Sequence, residues 1–208
     1  MPTVAVIPLD TTRAVGNSNP LVSTYTYNVD AGSKIFGSVN TQTDTSGYVA
    51  KYFYDANNGN LLATVGGKTG DSTYDQGYAY TYDAVGRITN VYPASCSSTA
   101  TSATANTNSA TAAYSYNAQS RLSSIVTATT TYNFTYDMFG KSLSVSAGDN
   151  ILVSYTYKYI EDSDNNKVDV NGKLETETYA NNFSVKYVYD TLDRVKESGI
   201  IKIQYTYD

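Results

Sequence analysis

The chain has 208 residues, 14 Lys and Arg against 19 Asp and Glu, a net charge of −5, one cysteine and no His or Trp. The dispersed cations give no electrostatic support for nucleic-acid binding, and a lone Cys96 without any His excludes disulfide frameworks, Cys/His zinc sites and nucleophiles activated by a His base. Apolar residues reach 41% even with 22 tyrosines counted among them, below the ~45–50% of ordinary domains. Tyr and Thr favour a pleated, half-buried surface while the usual helix formers are not dominant, so the expected class is all-β.

Residues 1–20 carry Pro2, Pro8 and Pro20, and Thr3 to Ile7 is expected as an edge strand. The start, MPTVAVIPLD, has no basic n-region or signal-length apolar core, and no stretch approaches the ~20 apolar residues of a membrane helix. The expectation is a soluble chain without an address of its own and without membrane insertion.

From residue 21 one phrase recurs: Tyr, any residue, Tyr, Asp or Asn, then Gly or Ser followed by Arg or Lys and an apolar residue. Tyr25-Thr26-Tyr27-Asn28 is a loose copy, and Tyr52-Phe53-Tyr54-Asp55 has one extra residue before Gly59-Asn60-Leu61. Tyr80-Thr81-Tyr82-Asp83-Ala84-Val85-Gly86-Arg87-Ile88 is the cleanest. Residues 93–113, a Ser/Thr/Ala/Asn run containing Cys96, form an insertion expected as a mobile loop or a weak, solvent-facing hairpin.

The copies resume with Tyr114-Ser115-Tyr116-Asn117 and Ser120-Arg121-Leu122, then Phe134-Thr135-Tyr136-Asp137 and Gly140-Lys141 with Leu143. Tyr155, Tyr157 and Tyr159 make a blurred copy that lacks the Gly-Arg. Tyr187-Val188-Tyr189-Asp190 follows with Asp193-Arg194-Val195, and Tyr205-Thr206-Tyr207-Asp208 lies at the chain end. The second tyrosines are 18 to 34 residues apart, an irregular period that suits stacked hairpins with loop insertions better than a helical solenoid.

The physics of one unit follows from strand geometry. Tyr at i and i+2 share one face, so successive copies build ladders of rings, with Thr, Ser or Val facing the other way. Asp or Asn at the strand end accepts backbone N–H bonds in the turn, and Gly supplies the positive φ that side chains resist. The returning strands alternate acceptably in Ile88 to Tyr92, Leu143 to Val145 and Leu174 to Tyr179. Arg87, Arg121 and Arg194 occupy one position in the repeat, where a guanidinium lies over a Tyr ring of the adjoining strand or pairs with the turn Asp.

The Tyr80 to Ile88 phrase and its companions resemble the YD-repeat, or Rhs-repeat, family of large secreted and surface proteins, over roughly residues 21–208. The resemblance implies tandem antiparallel hairpins forming one twisted, curved sheet, a partial shell. It further implies an extracellular or cell-surface location within a larger exported protein, and relatives include shells that enclose a C-terminal toxin domain. No Asp-Pro-rich core motif of the kind that ends such shells is seen, so cleavage and toxicity are not carried over. About seven hairpins stopping within a doublet at Asp208 read as an excised piece or a partial gene product.

Each candidate site carries a plainer alternative. The ladders are a sugar-stacking platform or, as the residue pattern favours, the core itself. The three arginines contact cargo or stack within the repeat, and their constant position favours the second. Glu161 to Asp169 resembles a calcium loop but has Lys167 where the turn glycine belongs and Lys173 where the bidentate Glu belongs, so an acidic hairpin turn is expected. Asn133 and Asn182 head short sequons of little weight. Cys96 reads as an idle thiol. Glycoside hydrolysis needs two facing carboxylates, and Glu161, Glu175, Glu177 and Glu197 are the only glutamates.

The expected function is therefore a non-catalytic structural wall segment without cofactor or metal, with a carbohydrate-binding module as the alternative. Its expected partners are the rest of a repeat shell, or a second copy through open strand edges, and no nucleic acid.

Overall fold

A computed structural model of the chain describes residues 5–8, 22–159, 163, 172–199, 203–204 and 206. Among these residues all regular structure is β and every pairing is antiparallel. The predicted acidic segment, apart from Ser163, and the last Tyr-Thr-Tyr doublet, apart from Thr206, lie outside them. The chain divides into two compact units, residues 1–113 and 114–208.

The first unit is a meander of β1 (Ala5–Pro8), β2 (Val22–Tyr27), β3 (Val39–Thr43), β4 (Tyr48–Tyr54) and β5 (Leu61–Lys68). After the two-residue β6 (Thr73–Tyr74), β7 (Gln76–Tyr82) pairs with β5 and with β8 (Ile88–Ser97). Strand β9 (Thr104–Ala105) pairs with the outer half of β8, as does β6. The predicted edge strand appears as β1, paired with β2 from Ala5 opposite Tyr25 to Pro8 opposite Val22.

Strand β10 (Ala112–Tyr116) begins on β8, through Ala112 opposite Val91. The second unit then runs through β11 (Leu122–Thr127), β12 (Thr131–Tyr136), β13 (Ser142–Ala147) and β14 (Asn150–Lys158). It continues through β15 (Lys173–Tyr179), β16 (Ser184–Tyr189), β17 (Val195–Ser198) and β18 (Ile203–Gln204). From β11 onward each strand pairs with the next.

Two sequence expectations are corrected here. The doublet rings are not the core: Tyr25, Tyr27, Tyr52, Tyr54, Tyr80, Tyr82, Tyr114, Tyr116, Tyr136, Tyr187 and Tyr189 are all half-buried. The buried cluster is Ala63, Val65, Tyr74, Ala79, Ala94 and Cys96, on the opposite face of the first unit, with Val49 and Phe53 packed against it. A phenol keeps its hydroxyl wet by lying partly exposed, whereas small apolar side chains seal completely, Val65 to 1% exposure.

The Ser/Thr-rich insertion is not a solvent-facing loop throughout. Its residues 94 to 97 extend β8, placing Ala94 and Cys96 in the core, while Ala100, Ala103 and Ala105 pack on that core. The inward–outward alternation of Ala94-Ser95-Cys96-Ser97 is strand-like, but its inward members are too small to stand out in a low-complexity run.

Close approach makes this roof possible. A Cβ on Gly67 would clash with the Tyr74 ring, and one on Gly77 would collide with the backbone of Thr64 and Val65. Lys51 holds the roof from below, its Nζ donating to the carbonyls of Ser98 at 3.0 Å and Ala100 at 2.7 Å.

Candidate functional site: the turn and the clasp between hairpins

Four of the doublet strands end in the same turn. At Asp83, the backbone N–H donates to Arg87 O at 3.0 Å and Gly86 N–H donates back to Asp83 O at 3.1 Å. Asp83 Oδ1 accepts the N–H groups of Val85 and Arg87, each at 3.0 Å. The pattern repeats at Asn117, whose Oδ1 accepts from Gln119 and Arg121. It repeats again at Asp137 with Phe139 and Lys141, and at Asp190 with Leu192 and Arg194. Gly86 and Gly140 supply φ of 83° and 94°, and Ser120 and Asp193 take 63° and 66° at the same place. Asp55 closes a turn one residue longer, with Asp55 N–H donating to Asn60 O at 2.8 Å.

The cation after the turn makes two kinds of contact. Arg87 Nε pairs with Asp83 Oδ2 at 2.7 Å and Arg194 Nε with Asp190 Oδ2 at 2.8 Å. Asn117 offers no carboxylate, and the Arg121 guanidinium lies 5.8 Å from the centre of the Tyr136 ring. Lys141 stands 5.5 Å from the Tyr157 ring and Lys173 5.9 Å from that of Tyr189. In these three cases the ring belongs to the second tyrosine of the next hairpin.

The same ring makes a second link to the hairpin before it. Tyr82 donates its hydroxyl to Leu61 O at 2.7 Å, Tyr136 to Leu122 O at 2.8 Å, Tyr157 to Ser142 O at 3.0 Å and Tyr189 to Leu174 O at 2.9 Å. Each acceptor directly follows the position equivalent to Arg87; Leu61, Leu122 and Ser142 open their returning strands and Leu174 is the second residue of its own. Where the cation is present, it and the carbonyl beside it grip one phenol from both sides. This clasp escapes a reading of the repeat phrase alone, because its acceptor is backbone. The signal that could have found it is the Arg or Lys one residue before three of the four acceptors, Arg121, Lys141 and Lys173.

A register shift accompanies six of the doublets. Thr81 faces Asn90 while Tyr82 faces Ile88, leaving Thr89 as an extra residue. The same shift precedes Tyr27, Tyr54, Tyr136, Tyr157 and Tyr189. Such bulges sharpen the local twist and re-aim side chains, here at the point where the phenol must reach the neighbouring hairpin.

The register also corrects the blurred copy. Tyr157 faces Leu174 as Tyr82 faces Ile88, so Gly172-Lys173 is its Gly-Arg, displaced by a long insertion after Tyr159. Tyr159 lies tilted against Phe139, ring centres 5.4 Å apart, and donates its hydroxyl to Asp137.

These contacts fix the protonation states. Asp83 and Asp190 are held below the ordinary carboxylate range by the backbone N–H and guanidinium of Arg87 and Arg194. At Asp137 burial pushes upward, and the Tyr159 hydroxyl with three backbone N–H groups outweighs it. Burial and the adjacent phenols push Tyr80 and Tyr82 up, and burial raises Tyr157 and Tyr189. Ionised acceptors and neutral donors suit permanent hydrogen bonds, while proton transfer near neutrality needs pKa values close to the working pH. Among the described residues no group of three or more His, Cys, Asp or Glu is placed to hold a metal.

No family model matches the sequence, and no curated protein does. Solved structures do match in fold. The Photorhabdus luminescens Tc holotoxin pore bearing a TccC3 substitution aligns over 94% of this chain at 16% identity and a TM-score of 0.54. The TcdB2-TccC3-Cdc42 structure aligns over 96% at 15% identity and 0.55, and TcdB2-TccC3-TEV over 94% at 16% and 0.53. The chain spans about a tenth of the length of these proteins, from 10% to 11%. Their TccC3 chains contain Rhs/YD-repeat shells, so the resemblance carried by Tyr80 to Ile88 and the strand arrangement converge: the chain has the fold of a Rhs/YD-repeat strip.

Proposed function

We propose that this chain is a wall segment of a larger exported repeat shell of the Rhs/YD type, a structural module without chemistry of its own. The observation that carries the reading is the clasp, in which Tyr82, Tyr136, Tyr157 and Tyr189 spend their hydroxyls on the preceding hairpin. A phenol committed in this way serves cohesion. The partner of such a module is the remainder of the repeat array, and the likeness to Tc toxin structures supports a place in an assembly of that kind.

The test pairs a glycan array with a Tyr80→Ala, Tyr82→Ala double variant checked by circular dichroism. The expected result is no saturable glycan binding by the parent chain and a loss of β signal in the variant. Saturable binding that disappears in a still-folded variant would replace the wall reading with that of a binding module. Light scattering across concentration provides a second check. Open strand edges pair with other edges, so association should rise with concentration, and a monomer at every concentration counts against the reading.

A further inference from the structure

The two units contain the same three-strand platform in the same register. On the face opposite the doublet rings, β2, β3 and β4 pair Thr26 with Thr41 and Thr41 with Lys51. On β14, β15 and β16, Thr156 pairs with Thr176 and Thr176 with Lys186. The phrases Lys51-Tyr52-Phe53-Tyr54 and Lys186-Tyr187-Val188-Tyr189 therefore set a lysine and an apolar residue at equivalent points of equivalent faces.

The first platform is occupied. The insertion crosses it, and Lys51 Nζ bonds the carbonyls of Ser98 and Ala100 while standing 5.6 Å from the Phe53 ring. These carbonyls are two residues apart, in the turn that the Ala100 N–H closes on Ser97 O at 3.0 Å. The second platform is bare among the described residues: the Lys186 side chain is exposed and makes no hydrogen bond or ion pair with them, and Val188 is 46% exposed.

We infer that the Lys186–Val188 face docks a Ser/Thr/Ala-rich turn, which presents two carbonyls two residues apart to the Lys186 ammonium and small side chains to Val188. The covered platform on the same chain shows the chemistry of the occupant: uncharged, small-residue and folded into a turn, like residues 97–100. It also shows why docking at the second face is reversible. Ala63 and Val65 lie opposite Phe53 and Lys51 and build a core under the roof. Glu197 lies opposite Val188, and Gly199 donates its N–H to Lys186 O, so less apolar surface awaits the occupant. The inference stands on this internal equivalence and does not depend on the wall reading.

The test uses the full 208-residue chain and a fluorescent peptide of residues 93–105 carrying Cys96→Ser. Saturable binding by anisotropy is expected, weakened about tenfold or more by Lys186→Gln, as loss of a charge-assisted hydrogen bond predicts. Val188→Glu should weaken it as well, and both variants alter exposed side chains whose folding is checked by circular dichroism.

Acetylation read by mass spectrometry locates the peptide. Without it Lys186 should label faster than Lys51; with it Lys186 should slow while the exposed Lys196 does not change. No saturable binding, binding unchanged by Lys186→Gln, or binding without protection of Lys186 would each overturn the inference. Accelerated labelling of Lys51 would show instead that the peptide displaces the resident roof.

Discussion

The two units use one hairpin repeat and hold it together in different ways. In the first unit the face away from the tyrosines is roofed, and Ala63, Val65, Tyr74, Ala79, Ala94 and Cys96 form a sealed core. In the second the same face carries paired hydroxyls, such as Thr135 with Ser144 at 2.7 Å and Thr178 with Ser184 at 2.9 Å. Cohesion there comes from the clasps, with Arg121, Lys141 and Lys173 over the rings they grip. A YD-type hairpin thus supplies a serviceable edge and turn, while the stabilising burial can be added or omitted locally by an insertion.

Four perturbations separate the two modes. Gly77→Ala places a Cβ against the Thr64 and Val65 backbone, and overpacking at backbone is expected to cost about 3 kcal/mol. Urea melts of the full chain should show the first unit unfolding early and the second unchanged. Lys51→Gln removes the ammonium from the carbonyls of Ser98 and Ala100, a loss of about 2 kcal/mol. Limited proteolysis should then cut between residues 98 and 103, where the parent chain resists.

Tyr136→Phe keeps the ring beneath Arg121 and deletes the bond to Leu122 O, worth about 1 kcal/mol. Hydrogen exchange should quicken in β11 and β12 and not in β4 or β5. Equal quickening in both units would erase the proposed division.

The smallest effect comes from pH. The folded pKa of Asp44, Asp83, Asp137 and Asp190 is lowered, so their stabilisation is complete above the unfolded value near ~3.9 and disappears as pH falls through the lowered folded values. Tyr82, Tyr157 and Tyr189 have raised values, so theirs is complete below ~10 and is lost as pH rises through the raised ones. Circular dichroism should show an acid and an alkaline limb, and Asp83→Asn with Asp190→Asn should flatten only the acid one. The Asn117 turn does not titrate.

Much of this architecture was legible because turns require particular residue types. Asp or Asn with a positive-φ residue three positions on marks each doublet turn of ordinary length, and alternate tyrosines mark the strand before it. The bulge was not legible, since Asn40, Leu62, Thr89, Leu143, Glu175 and Lys196 occupy the extra position without sharing a chemical character. The core was hidden for the opposite reason: apart from Tyr74 its members are small, and size rather than hydrophobic mass lets β6, β8 and β9 lie close. Gly172-Lys173 was missed because an insertion separated it from the doublet it serves. Asn182, read only as a sequon, takes φ of 61° in the turn between Tyr179 and Phe183.

The clasp has a mechanical consequence. An antiparallel strip pulled from its two ends is loaded like a zipper, and bonds yield in sequence rather than together. Because Tyr82, Tyr136, Tyr157 and Tyr189 are tied to the hairpin before them, the tear must break a phenol contact before it can pass each of them. With 21 residues from Tyr136 to Tyr157 and 32 from Tyr157 to Tyr189, each rupture there would release roughly 70–115 Å of slack chain. Under tension the strip should therefore lengthen in discrete, unequal steps.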